Sequence, residues 1–307
     1  MNNVTLKQLR YFEALARHAH FGRAAEACAI SQPALSVQIK DLEESLGTAL
    51  FERSSRHVQL TQFGQDFAGR ARAILQSVDE LGEMARAAQG ELNGRLRIGV
   101  IPTIAPYLLP QLIARLDKTY PNLDVQIRET VTPRLIEELA EGRIDTAIVA
   151  LPVSEPWMTE VPLFDERLVL VRHESQDGGP CPDVEALRLM RLLLLEEGHC
   201  FRDQALSFCN FQTSVPRDGL DGSSLSTLVQ MVGAGIGVTL IPEMAIPVET
   251  RAAPVCISHF QNPEPSRTVG MIWRKTNPLT AQFAELSEHV KEAAKVRLDT
   301  FNVKFSS

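Results

Sequence analysis

The spacing of apolar residues changes near residue 90, and this change limits the folds open to the chain. Before it, apolar residues recur at intervals typical of one helix face. After it, short strand-like apolar runs alternate with helical segments. The chain has 307 residues, whereas a single hydrophobic core seldom grows beyond about 250–300 residues. The sequence therefore predicts at least two domains.

The first 60 residues have the pattern of a helix-turn-helix. Apolar residues at helical spacing predict helices over residues 6–15 and 21–28, followed by a turn. Ser31 is placed as the N-cap of the next helix, and Pro33 stands in its first turn, where a missing N–H costs nothing. The apolar stripe of this helix ends at Gly47, a typical C-terminal residue.

Residues 50–60, two apolar arms around a polar tip, predict the hairpin wing of a winged helix. The second helix of such a motif lies in the DNA major groove, where its first turns face the bases. We expect base contacts from Gln32, Pro33, Ser36 and Val37, and contacts to phosphates or the minor groove from Lys40, Arg53, Arg56 and His57. An ordinary helical hairpin is the plain alternative.

A long helix is predicted from Thr61 to Ala88, because the segment contains no proline. Apolar residues alternate spacings of four and three along it: Phe67, Ala71, Ile74, Val78, Leu81, Ala85 and Ala88. Such a heptad seam normally pairs with a second copy of the same helix. We therefore expect a linker and dimerisation helix over residues 61–90.

Strands and helices alternate after Gly94, which predicts an α/β domain with mostly parallel sheets and a ligand site at the strand ends. Candidate strands are 96–101, 123–127, 146–150, 168–171 and 192–195, and candidate helices are 105–119, 132–142 and 224–234. A late strand over 269–273 and a helix over 280–294 are expected to return to the first sheet.

Charge and cysteine usage narrow the classes of protein. The net charge is −7, but residues 1–72 carry nine Lys and Arg against seven Asp and Glu, so nucleic-acid contact belongs near the N-terminus. We see no secretory signal or membrane span, and therefore expect a cytoplasmic protein with reduced thiols. Five cysteines without a Cys-x-x-Cys fit neither a secreted disulfide framework nor a zinc ribbon.

The N-terminal motifs resemble the LysR family of transcription regulators. The resemblance rests on residues 21–25 (FGRAA), 31–36 (SQPALS), 39–43 (IKDLE) and 46–53 (LGTALFER), and chain length and organisation match as well. It implies a winged helix-turn-helix domain (1–60), the linker helix, and a two-lobed, periplasmic-binding-protein-like α/β regulatory domain (91–302). Lobe I would comprise 91–165 and 268–302, and lobe II 166–267. The implied partners are double-stranded promoter DNA, RNA polymerase and further copies of the chain, as a dimer of dimers.

A second set of motifs resembles the OxyR group of peroxide sensors within that family. Residues 194–204 (LLEEGHCFRDQ) and 207–209 (SFC) carry this likeness. It implies that Cys200 is the peroxidatic thiol and Cys209 the resolving thiol, forming a reversible disulfide that controls antioxidant genes. A thiol reductant such as a glutaredoxin or thioredoxin would restore the thiols. No cofactor, metal or enzymatic turnover is expected.

The spacing of the two cysteines adds a constraint. Only a thiolate attacks peroxide, and we expect the start of a helix, His199, Arg202 or Arg267 to favour that form of Cys200. If residues 200–209 are helical, the two Cα atoms lie roughly 13–14 Å apart, whereas a disulfide tolerates about 7 Å at most. Oxidation would therefore have to refold this segment.

The OxyR resemblance also implies a polar pocket around Cys200, formed by Thr103, Thr132, His199, Asp203 and Arg267. The plain alternatives are that Thr103 and Thr132 cap helices and that Arg267 lies at an exposed strand start. The chain departs from the usual pattern at Ser223–Leu228, where SSLSTL replaces TSLETL. Three further cysteines, Cys28, Cys181 and Cys256, are interpreted as incidental.

Four alternatives stay open at this stage. A small organic acid in the interlobe cleft could be the effector of a LysR-type regulator, and the two cysteines could be small buried hydrophobes. A thiol peroxidase would make the DNA-binding domain superfluous. A solute-binding protein for transport would share the two-lobed fold, but an export signal is not seen.

Overall fold

The computed structural model describes residues 4–53, 58–88, 90, 92–208, 221–260 and 264–304. The chain divides into two compact units, one up to Ala85 and one from Arg86 onward. In the described residues, no helix is both long and apolar enough to cross a membrane.

The first unit has the predicted helix-turn-helix. Helices α1 (Leu6–His18), α2 (Phe21–Ala27) and α3 (Gln32–Leu46) enclose a core that includes Phe12, Leu35 and Ile39. Ser31 caps α3 by accepting a hydrogen bond from the Ala34 N–H, and α3 ends at Gly47 in the left-handed conformation. The capping signals therefore placed this helix correctly.

The wing is a short antiparallel hairpin of β1 (Phe51–Arg53) and β2 (Val58–Leu60). The Glu43 carboxylate on α3 accepts hydrogen bonds from the backbone N–H groups of Leu50, at 2.8 Å, and Phe51, at 3.1 Å. Because this carboxylate holds the start of the wing, the position of the wing is tied to helix α3.

The long helix α4 runs from Gln62 to Ala87, within the segment predicted to be helical, and its role as linker and dimerisation helix stays a prediction. The apolar stripe of α4 has a buried part and an exposed part. Ala71 is buried within the first unit, whereas Ile74, Leu81 and the adjacent Met84 are exposed. The exposed part of the stripe lies toward the end of the helix.

The second unit is an α/β domain built on a seven-stranded sheet in the order β10-β6-β11-β5-β3-β4, with β9 also paired to β6. The strands are β3 (Gly94–Val100), β4 (Leu123–Glu129), β5 (Thr146–Leu151), β6 (Met158–His173), β7 (Leu194–Leu195), β8 (Asp221–Gly222), β9 (Thr239–Pro242), β10 (Val255–Ser258) and β11 (Ser266–Arg274). The helices are α5 (Ala105–Thr119), α6 (Thr132–Ala140), α7 (Val184–Leu189), α8 (Cys200–Phe208), α9 (Leu225–Gly233), α10 (Ile246–Glu249) and α11 (Thr280–Lys304).

The expectation of mostly parallel sheets is wrong for this unit. Strand β3 pairs parallel with β4 and β5, but β11 pairs antiparallel with β5 and β6, and β6 pairs antiparallel with β9 and β10. The reason is the long strand β6, of which the sequence pattern showed only residues 168–171. Charged residues within it interrupt the apolar run.

Strands β6 and β11 connect the two parts of this sheet. The first half of β6 pairs with β11, and its second half, from Leu168, pairs with β9 and β10. At the crossing, Glu166 is directly opposite Arg267, and Asp165 is opposite Thr268. The predicted lobe boundaries, 165/166 and 267/268, fall at this crossing and stay predictions.

Candidate functional site

Cys200 is the first residue of helix α8, directly after a turn in which Gly198 has a φ of 91°. Its thiol is free and partly buried. It lines a narrow cleft together with Ile101, Pro102, Thr103, Val131, Thr132, His199 and Phe201. The structure therefore brings together three of the residues predicted to surround this thiol.

The predicted pocket residue Thr103 is buried and contacts the predicted Arg267. The Arg267 Nη1 donates to the Thr103 hydroxyl at 2.8 Å, and Nη2 donates to the Thr103 carbonyl at 3.0 Å. Because this hydroxyl accepts from arginine, its own proton remains available to a group in the cleft. Thr103 does not cap a helix, since the N-cap residue of α5 is Ile104 and makes no side-chain cap.

Arg267 is fully buried, which excludes the alternative of an exposed strand start. Its side chain is 0% exposed and that of Glu166 is 1% exposed. Arg267 donates from Nε and Nη2 to the Glu166 Oε2, at 2.9 Å and 2.7 Å. Its guanidinium also lies 5.3 Å from the ring centre of Phe201 on α8. Arg267 thus connects the Thr103 loop, the strand crossing and helix α8.

Glu166 was not singled out from the sequence. Its second oxygen, Oε1, accepts from the Met244 N–H at 3.1 Å. Burial raises the pKa of the Glu166 carboxyl, while the charge and hydrogen bonds of Arg267 oppose that rise. Glu166 and Arg267 are 101 residues apart in the sequence, so this ion pair is seen only once β6 and β11 are paired.

Thr132 is the first residue of α6, where the predicted alternative of a side-chain cap is not observed. Its hydroxyl oxygen is buried and has no hydrogen-bond partner among the described residues. A buried hydroxyl without a partner loses the free energy of its hydration. This hydroxyl therefore offers an unused hydrogen bond at the wall of the cleft.

The cations expected to assist Cys200 have other partners. Arg202 donates to the Leu195 carbonyl at 2.7 Å and pairs with Asp221 at 2.9 Å, and Arg267 is neutralised by Glu166. Burial lowers the pKa of His199, so its imidazole is neutral near pH 7 and does not supply a charge. The N-terminus of α8 remains as a source of positive potential at the thiol.

Two other predicted site residues are not in this cleft. Asp203 is exposed on α8 and is absent from the described residues that line it. Cys209, the expected resolving thiol, lies outside the described residues. Those residues contain no group of three or more His, Cys, Asp or Glu side chains able to hold a metal ion.

The second candidate surface is the start of helix α3. Gln32, Pro33, Val37 and Lys40 are exposed and Ser36 is half-buried. Val37 exposes 54% of its surface, which is high for an apolar residue, and Lys40 pairs with Glu44 at 3.3 Å. Of the predicted wing residues, Arg53 lies in β1 without a described side chain, and Arg56 and His57 lie outside the described residues.

Family comparisons match both units. The lysR-family bacterial regulatory helix-turn-helix description matches residues 6–65, and the LysR substrate binding domain matches residues 89–295. The chain is 42% identical over 292 residues to the DNA-binding transcriptional dual regulator OxyR of Escherichia coli K12, covering 94% of this chain and 95% of the relative. It is 41% identical over 303 residues to the hydrogen peroxide-inducible genes activator of Pectobacterium carotovorum, covering 97% and 100%.

Solved structures show the same likeness. A full-length cysteine-to-aspartate variant of OxyR from Pseudomonas aeruginosa is 38% identical with a TM-score of 0.75, covering 94% of this chain and 95% of that one. A hydrogen-peroxide-bound cysteine-to-serine variant of Corynebacterium glutamicum OxyR is 34% identical with a TM-score of 0.68, covering 98% and 95%.

Proposed function

This chain belongs to the LysR family of bacterial helix-turn-helix regulators, and we propose that it senses hydrogen peroxide through Cys200 and thereby controls antioxidant genes. The family is one of DNA-binding regulators, and relatives of this chain are named hydrogen peroxide-inducible genes activators.

The observation that carries the proposal is the position of Cys200, which is partly buried at the start of α8 and lines one narrow cleft with Thr103 and Thr132. The Thr103 hydroxyl proton and the unpartnered Thr132 hydroxyl are both available at its wall. Peroxide both donates and accepts hydrogen bonds, so it can pair with both hydroxyls.

The proposed chemistry has two steps. The Cys200 thiolate attacks one peroxide oxygen, the O–O bond breaks, and Cys200 becomes a sulfenic acid while hydroxide leaves and takes up a proton. The Cys209 thiol then attacks the Cys200 sulfur and displaces water. In sum, two thiols and one peroxide give one disulfide and two waters.

The second step requires helix α8 to unwind. The helix contains nine residues from Cys200 to Phe208, so its end Cα atoms are about 12 Å apart. One further residue spans about 3.8 Å between Cα atoms, which cannot bring the separation within the disulfide limit of about 7 Å. A bond to Cys209 is therefore incompatible with an intact α8, and oxidation becomes a change of shape.

The remaining partners are part of the proposal. The exposed apolar residues of α4, Ile74, Leu81 and Met84, support pairing with a second copy, and two such dimers would form the tetramer. We expect the oxidised protein to recruit RNA polymerase at promoter DNA. A glutaredoxin or thioredoxin would reduce the disulfide by thiol exchange.

The test uses a bacterium that lacks its own peroxide regulator. Transcripts are measured before and after peroxide in cells that carry the wild-type chain, Cys200→Ser, Cys209→Ser or the control Cys181→Ser. We expect induction with the wild type and the control and none with Cys200→Ser. Induction that survives in Cys200→Ser would favour the metabolite-responsive alternative. Calorimetric binding of an organic acid by both the wild type and Cys200→Ser would favour it as well.

A further inference from the structure

We infer that Glu166 is a positioning residue of the peroxide site, acting through Arg267 on the Thr103 hydroxyl. This inference rests on the proposed peroxide function and goes beyond it by adding a residue outside the cleft. Glu166 is absent from the described residues that line the cleft, so its action must be indirect.

The first step is the geometry of the ion pair. Glu166 and Arg267 are directly opposite each other on β6 and β11. One carboxylate oxygen, Oε2, accepts from both Nε and Nη2 of Arg267, which fixes the plane of the guanidinium. The other oxygen is held by the Met244 N–H, so the carboxylate itself has little freedom.

The second step is what the fixed guanidinium does. With Nε and Nη2 directed at Glu166, Nη1 donates to the Thr103 hydroxyl, and Nη2 also donates to the Thr103 carbonyl. A hydroxyl that accepts from a cation is directed to give its own proton elsewhere. Loss of the Glu166 carboxylate would free the guanidinium to rotate, and the Thr103 proton would lose its orientation toward the cleft.

The third step is the chemistry this orientation serves. When the O–O bond breaks, negative charge develops on the leaving oxygen, which a directed O–H stabilises. Alkylation of the same thiol by iodoacetamide has no leaving peroxide oxygen. Both reactions depend equally on the thiolate fraction of Cys200, so the ratio of their rate constants reports the directed proton alone.

The experiment measures both rate constants for Cys200 in the full chain with Cys209→Ser, which stops the reaction at the sulfenic acid. Glu166→Gln should lower the ratio at least about tenfold, as loss of a preorganised donor typically does. The matched control is Asp165→Asn, the exposed neighbour whose carboxylate accepts from Thr268 at 2.7 Å, and it should leave the ratio unchanged. Glu166→Asp keeps a negative charge near Arg267, which protects the fold. Its shorter side chain moves the carboxylate away from the guanidinium, so this variant should also lower the ratio.

A double-variant cycle makes the claim specific. In Thr103→Val, which removes the hydroxyl, Glu166→Gln should cause no further loss, because both changes remove one interaction. Additive losses, or a ratio unchanged in folded Glu166→Gln and Glu166→Asp, would overturn the inference. A wild-type ratio no higher than that of free cysteine would instead contradict the peroxide function, and the inference with it.

Discussion

At the scale of single residues, the important property of the cleft is which hydroxyl groups can still donate a hydrogen bond. Thr103 accepts from Arg267 and keeps its proton, while Thr132 has a buried oxygen without a partner among the described residues. Cys200 thus lines the same cleft as two threonines whose hydroxyls can donate. His199 completes this wall as a neutral imidazole, because burial lowers its pKa.

The exposed start of helix α3 leads to a prediction about DNA recognition. Gln32→Ala should relax preference at one base position by about 1–3 kcal/mol. Lys40→Ala should weaken all sequences alike and reduce the salt slope by about one. Selection from a random duplex library, followed by titration at several salt concentrations, measures both. The control Lys118→Ala, an exposed lysine of the second unit, should change neither.

His289 on α11 leads to a prediction about pH. Its Nδ1 accepts from the Arg115 Nε at 2.9 Å, and burial followed by the Arg115 charge lowers its pKa. A histidine with a lowered folded pKa stabilises the fold fully above its unfolded value of about 6.5, and this contribution is lost as pH falls toward the folded pKa.

His289→Gln removes that titration. The melting temperature should then fall less between about pH 7.5 and about pH 5.5 than in the wild type. An equal fall in both proteins would show that His289 does not couple protonation to stability.

At the scale of elements, the proposed disulfide requires helix α8 to change. Ser207 is exposed on this helix, so its replacement changes helix propensity with little effect on packing. Alanine and glycine differ by about 1 kcal/mol in helices, and Ser207→Gly should therefore form the disulfide about fivefold faster than Ser207→Ala. To test this, samples are quenched at intervals after Cys200 has become a sulfenic acid, and the loss of the Cys209 thiol is measured over time. Equal rates would mean that unwinding of α8 does not limit bond formation.

The sequence predicted most elements but not how distant ones meet. Helix α3 was accurate because Ser31, Pro33 and Gly47 are local signals. The antiparallel crossing of β6 and β11 was missed, because the charged residues Asp165, Glu166 and Arg167 break the apolar pattern. Arg267 contacts both Thr103 and Glu166, and these contacts depend on the pairing of β6 and β11. The apolar pattern therefore did not indicate them: Thr103 and Arg267 were identified only by resemblance, and Glu166 was not identified.

At the scale of the whole molecule, the proposed regulator requires a second copy of the chain. Leu81 exposes 65% of its surface on α4, which also exposes Ile74 and Met84, and such an apolar stripe favours burial against a second copy of the helix. Leu81→Lys should raise the dimer dissociation constant at least about tenfold, the equivalent of about 1.4 kcal/mol. Sedimentation measures this, with Ser77→Lys as the control on an exposed position of the same helix. An unchanged dissociation constant would exclude this part of α4 from the interface.

We propose that peroxide joins Cys200 to Cys209, and peptide mapping by mass spectrometry after one equivalent of peroxide is the test of this bond. One dominant linked pair should contain Cys200 and Cys209, be absent in Cys200→Ser and be reversed by a thioredoxin. Oxidation confined to Cys28, Cys181 or Cys256, or a Cys200 that stays reduced, would contradict it.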